Sequence, residues 1–216
     1  HHKTGRPVAQ PITRDRRKAH RDGNMNPYVY YTSDFGQSWK SLVTEDLDSY
    51  CHTIKQDLVN PDLLFLGTEF GLYVSLDKGT SWKRFKNNVP KVGIHDIVIH
   101  PTKHDVVLGT HGRGVIIIDD VSPLRALTPE VMQENLAFLP LRPFNFGSGI
   151  SLHGYGSNED FVAPNYGNVP RVAYHLKKRH IFGDMYMEVY NSEGELVKKV
   201  QASGRKGINI VSIPLN

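Results

Sequence analysis

The residues of this 216-residue chain best suited to chemistry fall in two short segments, Thr68-Glu69-Phe70 and His111-Gly112-Arg113-Gly114, with Asp96 between them. An acid facing a histidine and an arginine can grip a sugar or a carboxylate through charge-assisted hydrogen bonds. Glu69, Phe70, Asp96, His111 and Arg113 are therefore the ligand-binding candidates. The competing reading is a glycine-rich turn whose Arg113 pairs with a neighbouring carboxylate. His95, His100, His104 and His111 raise a metal, but His95 and His100 are separated by an odd number of residues, which puts them on opposite faces of a strand. No cysteine or carboxylate has ligand spacing, so neither a metal nor a cofactor is expected.

What positions these residues is an internal repeat. Thr32-Ser33-Asp34-Phe35-Gly36-Gln37-Ser38-Trp39 recurs as Ser75-Leu76-Asp77-Lys78-Gly79-Thr80-Ser81-Trp82, with Asp, Gly and Trp each displaced by 43 residues. Leu66-Gly67-Thr68 aligns, at 42 residues, with Leu108-Gly109-Thr110 in a third copy, where Val121-Ser122-Pro123 replaces the Gly and Trp. Within one period the β-forming runs predict four short strands, at about 51–55, 63–67, 72–75 and 82–85. Four strands in ~40–45 residues is the size of one propeller blade. In the repeated turn, Asp accepts hydrogen bonds from backbone N–H groups, Gly supplies a positive φ, and Ser or Thr bonds locally. Trp39 and Trp82 are expected to turn inward and fill the gap between neighbouring sheets. Because this turn joins strands three and four, the loop between strands two and three lies at the other end of the blade. That end is a rim on which Glu69, Phe70, His111 and Arg113 gather.

The turns at 32–39 and 75–82 resemble the Asp-box, or bacterial neuraminidase (BNR), repeat, whose structural residues here are Asp34, Gly36, Trp39, Asp77, Gly79 and Trp82. The segment Gly109-Thr110-His111-Gly112-Arg113-Gly114 looks like the last blade of large bacterial proteins of the sortilin (Vps10)-like or glycosyl-hydrolase-like type. The resemblance implies a β-propeller of which this chain is the carboxy-terminal part, in an extracytoplasmic bacterial protein. It does not bring a catalytic set with it. A sialidase needs an arginine cluster with a Tyr and an acid, and a glucanase needs two carboxylates about 5–9.5 Å apart. Asp119 and Asp120 are adjacent, point to opposite faces of a strand, and read as turn residues.

From about residue 123 the pattern changes. Thr128-Pro129-Glu130 opens a short helical turn with Pro at the first helical position, 136–141 returns to strand, and 147–170 is rich in Gly, Ser, Asn and Pro and expected to be poorly ordered. From Arg171 strands and hairpin turns resume. The run Val189-Tyr190-Asn191-Ser192-Glu193-Gly194-Glu195-Leu196-Val197, with Gly207-Ile208-Asn209-Ile210-Val211-Ser212-Ile213, resembles the immunoglobulin-like module of flagellar hook-capping proteins, with Ile213 where the usual residue is Trp. The organisation expected is a basic lead-in at 1–25, blades at 26–122, a linker and closing strand at 123–170, and an incomplete β-sandwich at 171–216.

The fold class expected from the repeat and the strand pattern is all-β, a partial β-propeller followed by a small immunoglobulin-like β-sandwich, and composition is that of an ordinary globular protein. Residues 1–22 carry a net charge of +5 and leave −1 for the rest, so the basic character is one run containing Pro7 and Pro11 rather than a nucleic-acid-binding face. His1-His2 reads as a tag remnant. No apolar run nears the ~20 residues of a membrane helix, and the single Cys51 allows no internal disulfide. Together these readings make the chain a binding or scaffold module for protein or glycan. It would be completed by further blades, from upstream in the same protein or from a separate chain. The alternative is part of a glycoside hydrolase whose acids lie upstream.

Overall fold

The computed structural model describes residues 25–144 and 169–214. The described residues form small antiparallel sheets, none closed into a barrel or propeller. The chain divides into two compact units, His1–Arg125 and Ala126–Asn216. The basic lead-in and nearly all of 147–170 lie outside the described residues.

In the first unit, β1 (Tyr30–Tyr31) pairs with β2 (Lys40–Ser41). A four-stranded sheet follows in the order β3 (Cys51–Gln56), β4 (Leu64–Thr68), β5 (Gly71–Ser75), β6 (Lys83–Phe85). A three-stranded sheet then runs β7 (Ile94–Ile99), β8 (Val106–Thr110), β9 (Val115–Ile118). The four strands of the middle repeat fall where the sequence predicts them. The third repeat lacks a fourth strand. Past β9, Asp120 adopts a φ of 49° and accepts from Ser122 N, starting the one-turn helix α1 (Ser122–Arg125) instead. Asp119 and Asp120 thus lie past the end of β9, outside any strand.

Every residue of β4 and β5 is buried, which happens when a sheet is covered on both faces. Leu63, Phe65, Leu72 and Val74 pack with Ile94, Ile97, Ile99, Val106 and Leu108 of the third repeat. On the opposite face Leu64, Leu66, Tyr73 and Trp82 pack with Val29, Leu42 and Leu47 of the first, and Cys51 joins them as a buried residue whose Sγ donates to Ser49 O. The sheets therefore stack face to face in chain order. The far face of the third sheet is different. Val98, Val107 and Ile117 are register partners in one row across β7, β8 and β9, and Val98 and Ile117 are 53% and 58% exposed.

The two Asp boxes repeat one hydrogen-bond network. Thr32 Oγ1 and Ser75 Oγ donate to Asp34 Oδ1 and Asp77 Oδ1 (2.8 and 2.7 Å), and accept from the Gly36 and Gly79 N–H groups (2.8 Å each). Ser38 and Ser81 then donate both backbone N–H and hydroxyl to the same carboxylates. These bonds favour the ionised form: Ser38, first among the causes, holds Asp34 at about 2. At Asp77 burial works to raise the pKa, and the bonds from Ser81 and Ser75 outweigh it.

The tryptophans part company. Trp82 is fully buried and its Nε1 donates to Leu42 O of the preceding repeat (2.8 Å). Trp39, expected to do the same, is 44% exposed and lies over its own turn, donating to Gly36 O. No described sheet precedes β1 to cover it.

Gly36 and Gly79 share a φ near +90° (91° and 84°), but a Cβ at Gly79 would sit 2.9 Å from Leu42 Cδ1 while one at Gly36 meets Trp39 at 3.4 Å. Both alanine variants incur the left-handed backbone cost of roughly 1–2 kcal/mol. Gly79→Ala should lose measurably more in urea unfolding, because only there must a neighbouring repeat move.

The second unit holds α2 (Pro129–Gln133), N-capped by Thr128, whose hydroxyl accepts from Val131 N. Its strands are β10 (Leu136–Leu139), β11 (Arg171–Leu176), β12 (Met185–Tyr190), β13 (Leu196–Ala202) and β14 (Gly207–Ser212). They form a sheet in the order β10-β11-β14 and a hairpin β12-β13. Strand β10, which the sequence leaves between the domains, pairs along its length with β11 and so belongs to this unit. Tyr174, Leu176, Ala202 and Val211 form the core, and Tyr174 Oη donates to Ser203 O.

Candidate functional site

The register puts the Asp boxes and the candidate rim at opposite ends of the first unit. Thr68 pairs with Gly71, so the β4–β5 turn carries Glu69 and Phe70 at one end of β5, and the box containing Asp77 follows Ser75 at the other. In the third repeat the equivalent turn, closed by Thr110 N donating to Gly114 O, carries His111 and Arg113.

Two β-bulges shape this end. The ladder between β3 and β4 slips between Cys51 and Thr53, and that between β7 and β8 slips between Ile94 and Asp96. Each bulge presents one extra residue, His52 in the first case and His95 in the second. Bulges re-aim side chains in this way. The two imidazoles stack, with ring centroids 4.0 Å apart and planes at 23°. His111 extends the row, its ring 5.6 Å from that of His95, and its backbone N–H donates to Gly93 O (2.8 Å).

Glu69 closes the cluster. Its Oε2 lies 2.8 Å from His52 Nε2 and accepts from Tyr50 Oη at 2.8 Å, while its backbone N–H donates to Tyr50 O. A carboxylate is only an acceptor, so His52 carries its proton on Nε2 in this contact. Burial works to raise the Glu69 pKa, but the bonds from His52 and Tyr50 and the charges of His52 and His95 hold it below its ordinary value. The imidazole of His52 and the carboxylate of Glu69 are mostly enclosed, at 15% and 29% exposure, and His95 is exposed.

Of the residues singled out in the sequence, Glu69 and His111 come into this cluster. Phe70 is exposed beside it. Asp96 follows the bulge, exposed, with its Oδ1 accepting from Ile97 N. Arg113 is exposed at the tip of the β8–β9 turn, and the partners of Glu69 are His52 and Tyr50 rather than an arginine. Tyr50 and His52 carry no assignment from sequence. The parity argument separates His95 from His100, which the structure also keeps apart, but it does not reach His52, which the bulge in β3 brings against His95. The ligand atoms of His52, Glu69 and His95 all lie within 4.8 Å of one another, so a ligand set invisible in the spacing exists in space. His100 belongs to the turn at the far end of β7, where its Nδ1 accepts from Thr102 N and Lys103 N.

In the second unit a shallow polar cleft is lined by Arg179, His180, Asp184 and Arg205. No described helix is long and apolar enough to cross a membrane. No protein-family model and no curated protein matches this chain.

Proposed function

We propose that the first unit is a stack of Asp-box blades from a β-propeller of the sortilin-like or glycosyl-hydrolase-like kind, that the second is an immunoglobulin-like module, and that the chain serves as a binding or scaffold module for a protein or glycan in an extracytoplasmic setting. The observation that supports this best is the division of labour between the two ends of the stack. One end repeats the same self-satisfied turn, with the box carboxylates taken up by their own loop. The other brings Glu69, His52, Tyr50, His95 and His111 together with polar groups turned toward solvent. Side chains from neighbouring sheets meeting at one rim make a recognition surface that no single blade could supply.

The remaining blades are the first partner of this chain. The middle sheet is covered on both faces by neighbouring repeats, and the row Val98, Val107 and Ile117 presents an equivalent apolar face with nothing described upon it. A further sheet of the same repeat fits there by continuing the stack.

The hydrolase alternative draws its second acid from outside this chain, because the cluster supplies one carboxylate, Glu69, where glycoside cleavage uses two. Binding to an array of glycans and peptides separates the readings. A ligand whose affinity falls at least about tenfold in Glu69→Gln or Arg113→Ala, and is unchanged in Lys78→Ala on the Asp-box end, supports recognition at the rim. Turnover of an aryl glycoside that is abolished by Glu69→Gln would instead establish the hydrolase, and binding indifferent to both rim variants would move the site elsewhere.

A further inference from the structure

We propose that His52, Glu69 and His95 form a binding site for one divalent transition-metal ion, of which Zn²⁺ is the chemical type. Two imidazoles and one carboxylate are a donor set that zinc takes in sites that keep a fourth position open. Each donor comes from a different structural feature: the β3 bulge, the β4–β5 turn and the β7 bulge. Convergence of three donors therefore depends on the stacking of two repeats and is not a property of any single loop.

The distances suit an ion after a small adjustment. Bonds of about 2.0–2.2 Å place neighbouring ligand atoms roughly 3–3.5 Å apart. His52 Nε2 and Glu69 Oε2 are already 2.8 Å apart. The whole set lies within 4.8 Å, so His95, the exposed member, swings inward by about an ångström to complete it. Its ring, now stacked on that of His52 at 23°, also turns in this movement so that the in-plane lone pairs of the two imidazoles converge on one ion. The proton that His52 Nε2 now donates to Glu69 must leave that nitrogen for a cation to bind: a singly protonated ring carries it on Nδ1 instead and a doubly protonated one releases it, which leaves a neutral imidazole and a carboxylate as ligands.

Gly93 is an independent sign that this space is kept clear. It is buried and its φ is not positive, so no left-handed backbone calls for glycine there. A Cβ on it, however, would lie 3.1 Å from Glu69 Oε2 and 3.3 Å from His95 Nε2. Glycine at this position keeps room beside two of the three donor atoms. His111, exposed, lies next to His95, their ring centroids 5.6 Å apart.

The inference does not depend on the identity of the rim ligand, and metal binding can be measured without one. The full chain is stripped with a chelator, then titrated with Zn²⁺ by calorimetry and with Co²⁺ by visible absorption, alongside Glu69→Gln, His52→Ala and His95→Ala. Wild type is expected to take up one equivalent that each variant loses or binds at least about 10–100-fold more weakly, given that groups one shell further out already cost that much. Co²⁺ should show the intense visible bands of a low-coordinate site. Glu69→Gln keeps the shape of the side chain, and circular dichroism on each variant identifies any that has failed to fold. Absence of a stoichiometric equivalent in folded wild type would overturn the proposal. So would an equivalent retained at full affinity in folded Glu69→Gln and His95→Ala, which would place the ion on other histidines such as His1-His2.

Discussion

Replacement of Trp82 by alanine is expected to destabilise the first unit by about 3–5 kcal/mol, the usual range for removing a large aromatic from a core. The indole is fully enclosed between the middle sheet and the first repeat, and its Nε1 donates to Leu42 O. Truncation therefore opens a cavity and leaves a buried carbonyl without its donor, and neighbours held by β-sheet hydrogen bonds can collapse only partly into the space. Trp39→Ala, at the equivalent position of the preceding repeat, should cost no more than about 1–2 kcal/mol, since an indole 44% exposed has less transfer energy to lose. Urea unfolding of the two variants measures the difference directly. Equal losses would mean that the indoles are used alike and that Trp82 owes nothing to the sheet in front of it.

That contrast shows what kind of information a repeat carries. The Asp-box turns were legible because each is a local device: Asp34 and Asp77 bond to residues within four positions, and the glycines answer a local φ. The strands of the middle repeat were legible for a similar reason, as β-rich runs between turn residues. Trp39 differs from Trp82 because its environment depends on what lies in front of it in space, and no described sheet does. The cluster on the rim was partly hidden for a further reason. Assigning faces by odd and even spacing assumes uninterrupted alternation, and both bulges break it at the residue that matters. One signal was nevertheless present: His52 and His95 occupy the same place in successive repeats, 43 residues apart, and Glu69 and His111 align one residue past the paired Thr68 and Thr110. Reading the repeat for its histidines as well as its turns would have placed His52 next to His95, because equivalent positions of stacked repeats are neighbours.

The other large effect is expected at Asp57 and Arg125, 68 residues apart and joined in a bidentate pair. Arg125 Nε and Nη2 donate to Asp57 Oδ2 and Oδ1 at 2.8 Å each, with the carboxylate wholly enclosed. Asp57 Oδ2 also accepts from Val59 N and Asn60 N, and Asn60 Nδ2 donates to Arg125 O. The pair thus ties α1 to the β3–β4 turn of the middle sheet, across the third repeat that lies between them in sequence. Arg125→Ala leaves a buried carboxylate without its counter-ion and should cost about 3–5 kcal/mol. Arg125→Met with Asp57→Ala removes both charges, but it also orphans the turn N–H groups, so it should recover only part of that loss. The acid limb offers a second readout. Burial works to raise the Asp57 pKa, and Arg125 with the Asn60 and Val59 N–H groups brings it below its ordinary value. A folded pKa below the unfolded one stabilises the protein above the unfolded value of ~3.9 and loses that contribution as pH falls through the folded one. Removing Arg125 takes away a hydrogen bond and a charge that lower the pKa, so the pKa moves upward and the loss of stability on acidification should begin at higher pH in Arg125→Ala than in the parent. If the two stability curves instead run parallel between about pH 3 and pH 7, the enclosed carboxylate draws its ionisation from the turn N–H groups alone, and Arg125 holds α1 by packing rather than by charge.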